Sequence, residues 1–243
     1  ISKLVFFLVI WFLVGVYLLP TVLNRTRRFL NNETLLVVSM GLCLSMAVFS
    51  VMCGFSMALG AFVMGSILAG TSYAERIEHV TMPVKDLFGS VFFISVGMMV
   101  QPSVIVQYWL PILVGCTAGS AASMGSVYGM CRLFGLDESM TVSLLPKSVT
   151  TPIAVSISEP GGGVVPITVV AVIFTGILGS IIAPFLIRLF HVSDPVAAGL
   201  AIGSCSHAVG TSKAIEIGEV EGAMSGLAIG ICGIITVLFS MLI

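Results

Sequence analysis

Long apolar runs follow one another along almost the whole chain, and they are the feature that most restricts its fold. Runs such as 4–23, 34–53, 164–190 and 222–243 each approach or exceed the roughly twenty residues that a helix needs to cross a bilayer. The alternating patterns of barrel strands are missing, and lipid admits only helices or closed barrels. Only 9% of the residues are charged, whereas a soluble domain carries about 25%. The sequence therefore predicts an all-α, polytopic membrane protein with about eight membrane segments.

Charged residues concentrate where the apolar runs end. Arg25, Arg27 and Arg28 stop the first run, and a tight turn at Gly54 and Ser56 separates the second from the third. With the arginine cluster in the cytoplasm, most other basic residues fall on the same side, which obeys the positive-inside rule. The net charge of −1 argues against nucleic acid as a partner. The cysteines stand singly, without metal-binding spacing, so we expect no metal and no cofactor.

Several apolar segments are interrupted, which predicts discontinuous helices. The stretch 72–86 is predicted to be a polar loop, and 87–100, with Ser95 and Gly97, is short enough to be half of a broken helix. Asp137 is placed to cap a helix through Leu145, which Pro146 cannot continue, and a second half-helix can start near Pro152.

A further broken helix is predicted after Asp194-Pro195, interrupted at 206–211. The chain starts inside an apolar run and stops inside another, so we expect it to be a piece of a longer polypeptide.

The two interrupted polar stretches resemble one another. PKSVTTPIAVSISEPGG (146–162) and SHAVGTSKAIEIGEVEG (206–222) match at a shift of sixty residues. The matched pairs are Val149 and Val209, Thr151 and Thr211, Ala154 and Ala214, Ile157 and Ile217, Glu159 and Glu219, and Gly162 and Gly222. Broken polar segments in corresponding positions of a repeat indicate a transporter's binding site. The pattern predicts a transporter-like internal repeat.

A lysine lies in each stretch, near the start of a predicted half-helix. The free N–H groups and partial positive charge there, together with an ammonium and hydroxyls, would suit a small anion such as a carboxylate. His207 would titrate near neutral pH and could couple a proton. The predicted substrate-binding residues are Lys147, Ser148, Thr150, Thr151, His207, Thr211, Ser212 and Lys213. Simpler interpretations remain open: Lys147 could snorkel to an interface, Lys213 could pair with Glu216, and His207 could be a packing residue.

The first part of the chain carries a motif of ALGAF, an acid/base loop, a proline and FFISVGM within 57–100. It resembles the membrane domain of monovalent cation:proton antiporters of the potassium-efflux type, and the resemblance extends over 1–112. Such antiporters carry membrane-embedded carboxylates, but no Asp or Glu lies inside a predicted span before Val100. We therefore expect no cation:proton exchange by this part alone.

The second part contains LLPKSVTTPIA (144–154), VIFTGILG (172–179), GLAIGSCSHAVGTSKAIE (199–216) and CGIIT (232–236). These strings resemble the LrgB/CidB family of antiholin-like murein-hydrolase regulators, which has a plastid relative similar to a glycolate/glycerate translocator. The resemblance implies a bacterial inner-membrane location and makes carboxylate transport a reasonable expectation. It divides the chain into 1–112, antiporter-like, and 113–243, LrgB-like, both partial.

The function expected from these patterns is secondary transport of a small carboxylate, not enzymatic catalysis. The lipid bilayer, a small anionic solute and a proton or monovalent cation are the expected partners, with a homo-oligomer or a small membrane subunit as further candidates. The alternatives are a holin/antiholin-like regulator of murein hydrolase export and cell lysis, or a non-functional chimera of two incomplete halves. A continuous helix between Leu110 and Ala118 would favour a natural fusion over an artificial join.

Overall fold

Helices account for all regular structure in the part of the chain that the computed structural model describes, residues 2–25, 30–55 and 57–242. The ten helices are α1 (Ser2–Arg25), α2 (Asn32–Met52), α3 (Met57–Ala69), α4 (Ala74–Met99), α5 (Pro102–Leu133), α6 (Glu138–Leu144), α7 (Thr151–Ser158), α8 (Val165–Leu189), α9 (Pro195–Ile217) and α10 (Glu219–Ser240). This confirms the all-α class. The predicted roles of Arg27, Arg28 and Ser56 lie outside the described residues.

Five described helices are long and apolar enough to cross a membrane: α2, α4, α5, α8 and α10. Their length and composition are those of an integral membrane protein, as predicted. The count of about eight segments remains a prediction, because length and composition mark these five helices alone in the described ranges.

The first compact unit covers residues 1–92. Helices α2 and α3 approach closely because Gly60 lies directly against Met46 and Ser50. The start of α4 is tied to the start of α2 by Arg76, whose Nη2 donates to Asn32 Oδ1 at 2.8 Å and to Leu30 O at 3.1 Å.

The polar stretch 72–86 is not the loop that its composition predicted. Most of it is the first half of α4, which continues without a break through 87–99. The predicted half-helix at 87–100, with a break at Ser95 and Gly97, is therefore wrong. Its charged residues are good helix formers, and Ile77 is buried between the exposed Arg76 and Glu78, so an amphipathic turn was mistaken for a loop.

The second compact unit, residues 93–243, is organised around α9. This helix packs against α10, α8 and α5. The contacts with α10 and α5 use small residues. Gly203 lies against Ser225 on α10, and an ideal Cβ on Gly119 of α5 would lie 3.2 Å from Ser204 Oγ. Small side chains let the helix backbones approach, so α9 is buried along most of its length.

The predicted boundary at 112/113 lies within α5. This helix has one non-helical residue, Tyr108 (φ −111°, ψ 17°), and is continuous between Leu110 and Ala118. We expected such continuity of a natural fusion rather than an artificial join.

Candidate functional site

A non-helical segment of six residues separates α6 from α7. Asp137 caps α6 by accepting from Met140 N–H at 2.8 Å, as predicted. The helix stops because Pro146 lacks an N–H and its ring would collide with the carbonyl four residues earlier. After the break, α7 starts at Thr151 with Pro152 in its first turn, a position that suits proline. The predicted interruption is therefore present, and it contains Lys147.

The Lys147 ammonium forms a hydrogen bond with a neighbouring hydroxyl. Its Nζ donates to Ser148 Oγ at 3.4 Å, and Ser148 Oγ is 2.7 Å from Ser123 Oγ on α5. Within residues 2–25, 30–55 and 57–242, no carboxylate oxygen lies within 4 Å of Nζ. The half-buried positive charge is therefore not neutralised by any acidic side chain of the described chain.

Lys147 lines a groove of about 420 Å³ between α8 and α9. The other polar side chains of the lining are Thr175, Cys205 and Ser206, and the rest is mainly apolar, including Leu178 and Ile182. The groove thus combines one cation, two hydroxyls and a thiol with apolar walls. Such a combination of apolar surface and few polar groups is common in small-molecule sites.

The interruption of α9 lies at His207, inside the predicted stretch 206–211. This residue has φ 43° and ψ −145°, a backbone conformation that favours glycine and costs other residues about 1–3 kcal/mol. The residue is 4% exposed, and its Nε2 is 2.9 Å from Val172 O. Because a carbonyl only accepts, Nε2 carries the hydrogen. A local network holds the strained residue, because Thr211 Oγ1 donates to His207 O at 3.0 Å and accepts from Ser225 Oγ at 2.7 Å.

The second lysine has a different environment. Lys213 Nζ donates to Glu216 Oε2 at 2.7 Å, with side-chain exposures of 28% and 46% for the two residues. The simpler interpretation of Lys213 is thus seen in the structure. Its neighbour Ser212 is exposed and donates to Ala208 O at 3.3 Å.

The eight predicted residues therefore fall into separate local groups. Lys147 and Ser148 form one group beside the groove, while Thr150 and Thr151 begin α7. Thr211 is joined to the His207 carbonyl on α9. Lys213 is not part of the groove lining that includes Lys147, so a cavity shared by the two lysines remains a prediction.

Sequence reasoning missed the residues that bring these groups together. Gly176 on α8 lies against the His207 ring, and Gly179 lies against Ser206. Both glycines, with Thr175, belong to the VIFTGILG string that was noticed for its resemblance alone. Cys205, next to the predicted break, was not among the predicted site residues, but it is exposed and lines the groove.

These observations define the class: the chain is an integral membrane protein with interrupted helices. It belongs to the LrgB-like family, whose sequence model matches residues 14–243. Together with the similarity to a Bacillus antiholin-like protein, this membership places the chain in the bacterial inner membrane.

Curated relatives are similar to the chain over most of its length. It is 38% identical over 143 residues to the antiholin-like protein LrgB of Bacillus mycoides (strain KBAB4), which covers 59% of this chain and 62% of that protein. It is 35% identical over 161 residues to the uncharacterized protein YxaC of Bacillus subtilis (strain 168), which covers 66% and 70% of the two chains. The match thus spans less than two thirds of the LrgB protein. No solved structure matches the chain.

The family match also changes the interpretation of the first part of the chain. It is continuous from residue 14 to residue 243, so it includes nearly all of the part that resembled an antiporter. No comparison supports the antiporter resemblance or a fusion of two families. The motif in 57–100 was too general, since apolar residues and glycine recur throughout the chain.

Proposed function

We propose that this chain is the solute-binding part of a secondary transporter, not an enzyme, and that its substrate is a small carboxylate. One observation carries the proposal: the Lys147 ammonium lines a groove and has no carboxylate within 4 Å in the described part of the chain. A lysine at bilayer depth costs about 2.5–3.5 kcal/mol on insertion scales, so such residues usually serve a function and face a cavity.

The backbone around Lys147 supports an anionic substrate. Non-helical backbone is tolerated at membrane depth where it lines a cavity or is buried in protein. The break ends at the first turn of α7, where the N–H groups of Thr151 and Ile153 lack partners within the helix. The partial positive charge of this turn and the Lys147 ammonium favour the same kind of ligand. The hydroxyls of Ser148 and Thr150 add neutral hydrogen-bonding groups.

An internal repeat is part of the proposal. At a shift of sixty residues, Lys147 corresponds to His207, so both interruptions fall at the same repeat position. Ala154 and Ala214 correspond as well, and both are fully buried. Interrupted segments in corresponding positions are typical of secondary transporters. If α6–α7 is counted as one interrupted segment and the 13-residue α3 is left out, the described helices give about eight membrane segments.

Coupling and assembly complete the proposal. His207 adjoins the groove residue Ser206 in sequence, and it would couple a proton or, with its carbonyl neighbours, a monovalent cation to transport. A homo-oligomer or a small membrane subunit would complete the transporter in the bilayer. The antiporter-like interpretation of 1–112 has no part in this mechanism.

The alternative is a holin/antiholin-like regulator of murein hydrolase export. The name of the Bacillus mycoides relative, antiholin-like protein LrgB, favours it. Such a protein needs no half-buried, uncompensated cation in a groove, so Lys147 discriminates between the two functions.

The test is uptake of labelled glycolate by proteoliposomes that contain the full chain. Lys147→Met should reduce uptake about tenfold or more, because a hydrogen bond to a charged group contributes about 1.5–3 kcal/mol. Lys85→Met is the matched control, since Lys85 is 74% exposed and pairs with Asp86 at 3.7 Å. Uptake that is unaffected by Lys147→Met, or absent from the unmodified chain, would favour the regulator.

A further inference from the structure

A second polar cavity, distinct from the groove at Lys147, lies at one end of the second unit. It has a volume of about 540 Å³, within the range of about 300–1,000 Å³ that small-molecule sites occupy. The last turn of α5, the first turn of α6 and the end of α7 surround it. Its polar lining includes Tyr128, Arg132, Glu138, Thr141 and Ser240.

The Arg132 side chain is fixed, but most of its hydrogen-bonding capacity is unused. Nε and Nη2 donate to the hydroxyl of Tyr128 at 3.1 and 2.9 Å, and the guanidinium carbon lies 5.2 Å from the centre of the Tyr128 ring. Three of the five N–H donors of Arg132 remain available. Because the Tyr128 oxygen accepts both bonds, its own proton is free to be donated to a ligand. The pair presents several donors and one positive charge.

The carboxylate of Glu138 belongs to the same lining but does not form an ion pair with Arg132. Glu138 and Arg132 both face the cavity, but in the described part of the chain neither has an oppositely charged group within 4 Å. Two opposite charges in one cavity, too far apart to pair directly, are complementary to a ligand that carries both. The anionic group of that ligand would bind Arg132 and Tyr128, and its cationic group would bind Glu138.

The position of the cavity indicates a lipid. Arg132 is in the last turn of α5, a helix that is apolar and long enough to cross the membrane, so it lies at the level of the headgroups. The next two residues, Leu133 and Phe134, are 80% and 74% exposed and offer apolar surface beside the charged groups. Leu136 extends the apolar surface into the lining itself. Acyl chains would cover such residues.

We propose that this cavity binds the headgroup of a zwitterionic phospholipid with a primary amine, such as phosphatidylethanolamine. The phosphate accepts from Arg132 and from the Tyr128 hydroxyl, and the ammonium donates to Glu138. The trimethylammonium of phosphatidylcholine has no N–H to donate, and phosphatidylglycerol has no cation for Glu138. The site should therefore prefer the amine lipid over both.

The test is native mass spectrometry of the full chain in detergent. The chain is titrated separately with the dioleoyl forms of phosphatidylethanolamine, phosphatidylglycerol and phosphatidylcholine. We expect the amine lipid to bind about tenfold more tightly than phosphatidylcholine, the difference that one charged hydrogen bond supplies. Arg132→Ala should weaken binding of all three lipids. Glu138→Gln should weaken binding of the amine lipid and strengthen that of phosphatidylglycerol, because it removes a repulsive charge. Tyr128→Phe should weaken binding less than Arg132→Ala.

Arg188→Ala is the matched control, because Arg188 is also exposed in the last turn of an apolar spanning helix. It should leave the affinity for each lipid unchanged. Equal losses in the Arg132 and Arg188 variants, or no preference for the amine lipid, would overturn the proposal. Soluble phosphoethanolamine, which lacks acyl chains, should compete poorly. If it competes as well as the lipid does, the cavity binds a soluble zwitterion and the lipid assignment is wrong.

Discussion

Substitution of Gly176 by alanine tests how α8 supports the interrupted part of α9. An ideal Cβ on Gly176 would lie 2.6 Å from His207 Cε1, 2.8 Å from Nε2 and 3.0 Å from Val209 Cβ. Two of these distances are shorter than carbon contacts of about 3.5–4.0 Å by more than half an ångström, so the ring must move. Overpacking of this kind costs about 1–3 kcal/mol.

The control for helix propensity is Gly125→Ala. Gly125 is exposed in α5, and its Cβ would meet no atom within 4 Å. Alanine is favoured over glycine in a helix by about 1 kcal/mol, so this variant should be as stable as the parent or slightly more stable. The difference between the two variants isolates the packing term, which we expect to be about 1–3 kcal/mol.

The free energy of unfolding can be measured by titration with sodium dodecyl sulfate in mixed micelles, followed by circular dichroism. A double-mutant cycle with His207→Ala identifies the contact, since a non-glycine residue with positive φ stands at position 207 in both halves of the cycle. Removal of the ring should recover at least about 1 kcal/mol of the Gly176→Ala loss. Equal stabilities of the Gly176 and Gly125 variants, or a coupling energy near zero, would refute the packing of α8 on the His207 ring.

Two further stability predictions follow from hydrogen bonds. Thr211→Val should lower the free energy of unfolding by about 1–3 kcal/mol, because it leaves the buried Ser225 hydroxyl without its acceptor. Ser212→Ala, at an exposed hydroxyl, should lower it by less than about 0.5 kcal/mol. The same detergent titration measures both, and equal losses would contradict a stabilising Thr211–Ser225 hydrogen bond. Asp137→Ala should lower the free energy of unfolding by about 1 kcal/mol, because α6 loses its cap at Met140 N–H, while Asp137→Asn should retain most of the stability. An alanine variant as stable as the parent would contradict a stabilising cap.

Local signals in the sequence predicted the helix boundaries around the site. Asp137 and Asp194 both cap helices, with Asp194 Oδ1 accepting from Val196 N–H at 2.7 Å. Pro146 ends α6 at the predicted place. These signals act within a few residues of the chain, so they can be recognised without the fold.

The remaining features depend on contacts between distant residues. The positive φ of His207 is held by Val172 and by the Thr211–Ser225 hydrogen bond, and nothing in the local sequence predicts those partners. Likewise, Lys147 meets Cys205 in one groove because α8 and α9 pack together. The stretch 72–86 was mistaken for a loop because its charge was weighed above the helix propensity of its residues.

The most direct test of the Lys147 site uses the native cysteines. Cys205 lines the same groove as Lys147, while Cys53 is exposed in the other unit and serves as an internal control. The measurement is the rate at which N-ethylmaleimide alkylates each thiol in the full chain, with glycolate or with its neutral isostere glycolamide. We predict that glycolate slows alkylation of Cys205 but not of Cys53, that glycolamide slows neither, and that Lys147→Met abolishes the protection by glycolate. A Cys205 that never reacts, or equal protection in the Lys147→Met variant, would contradict a carboxylate site at Lys147.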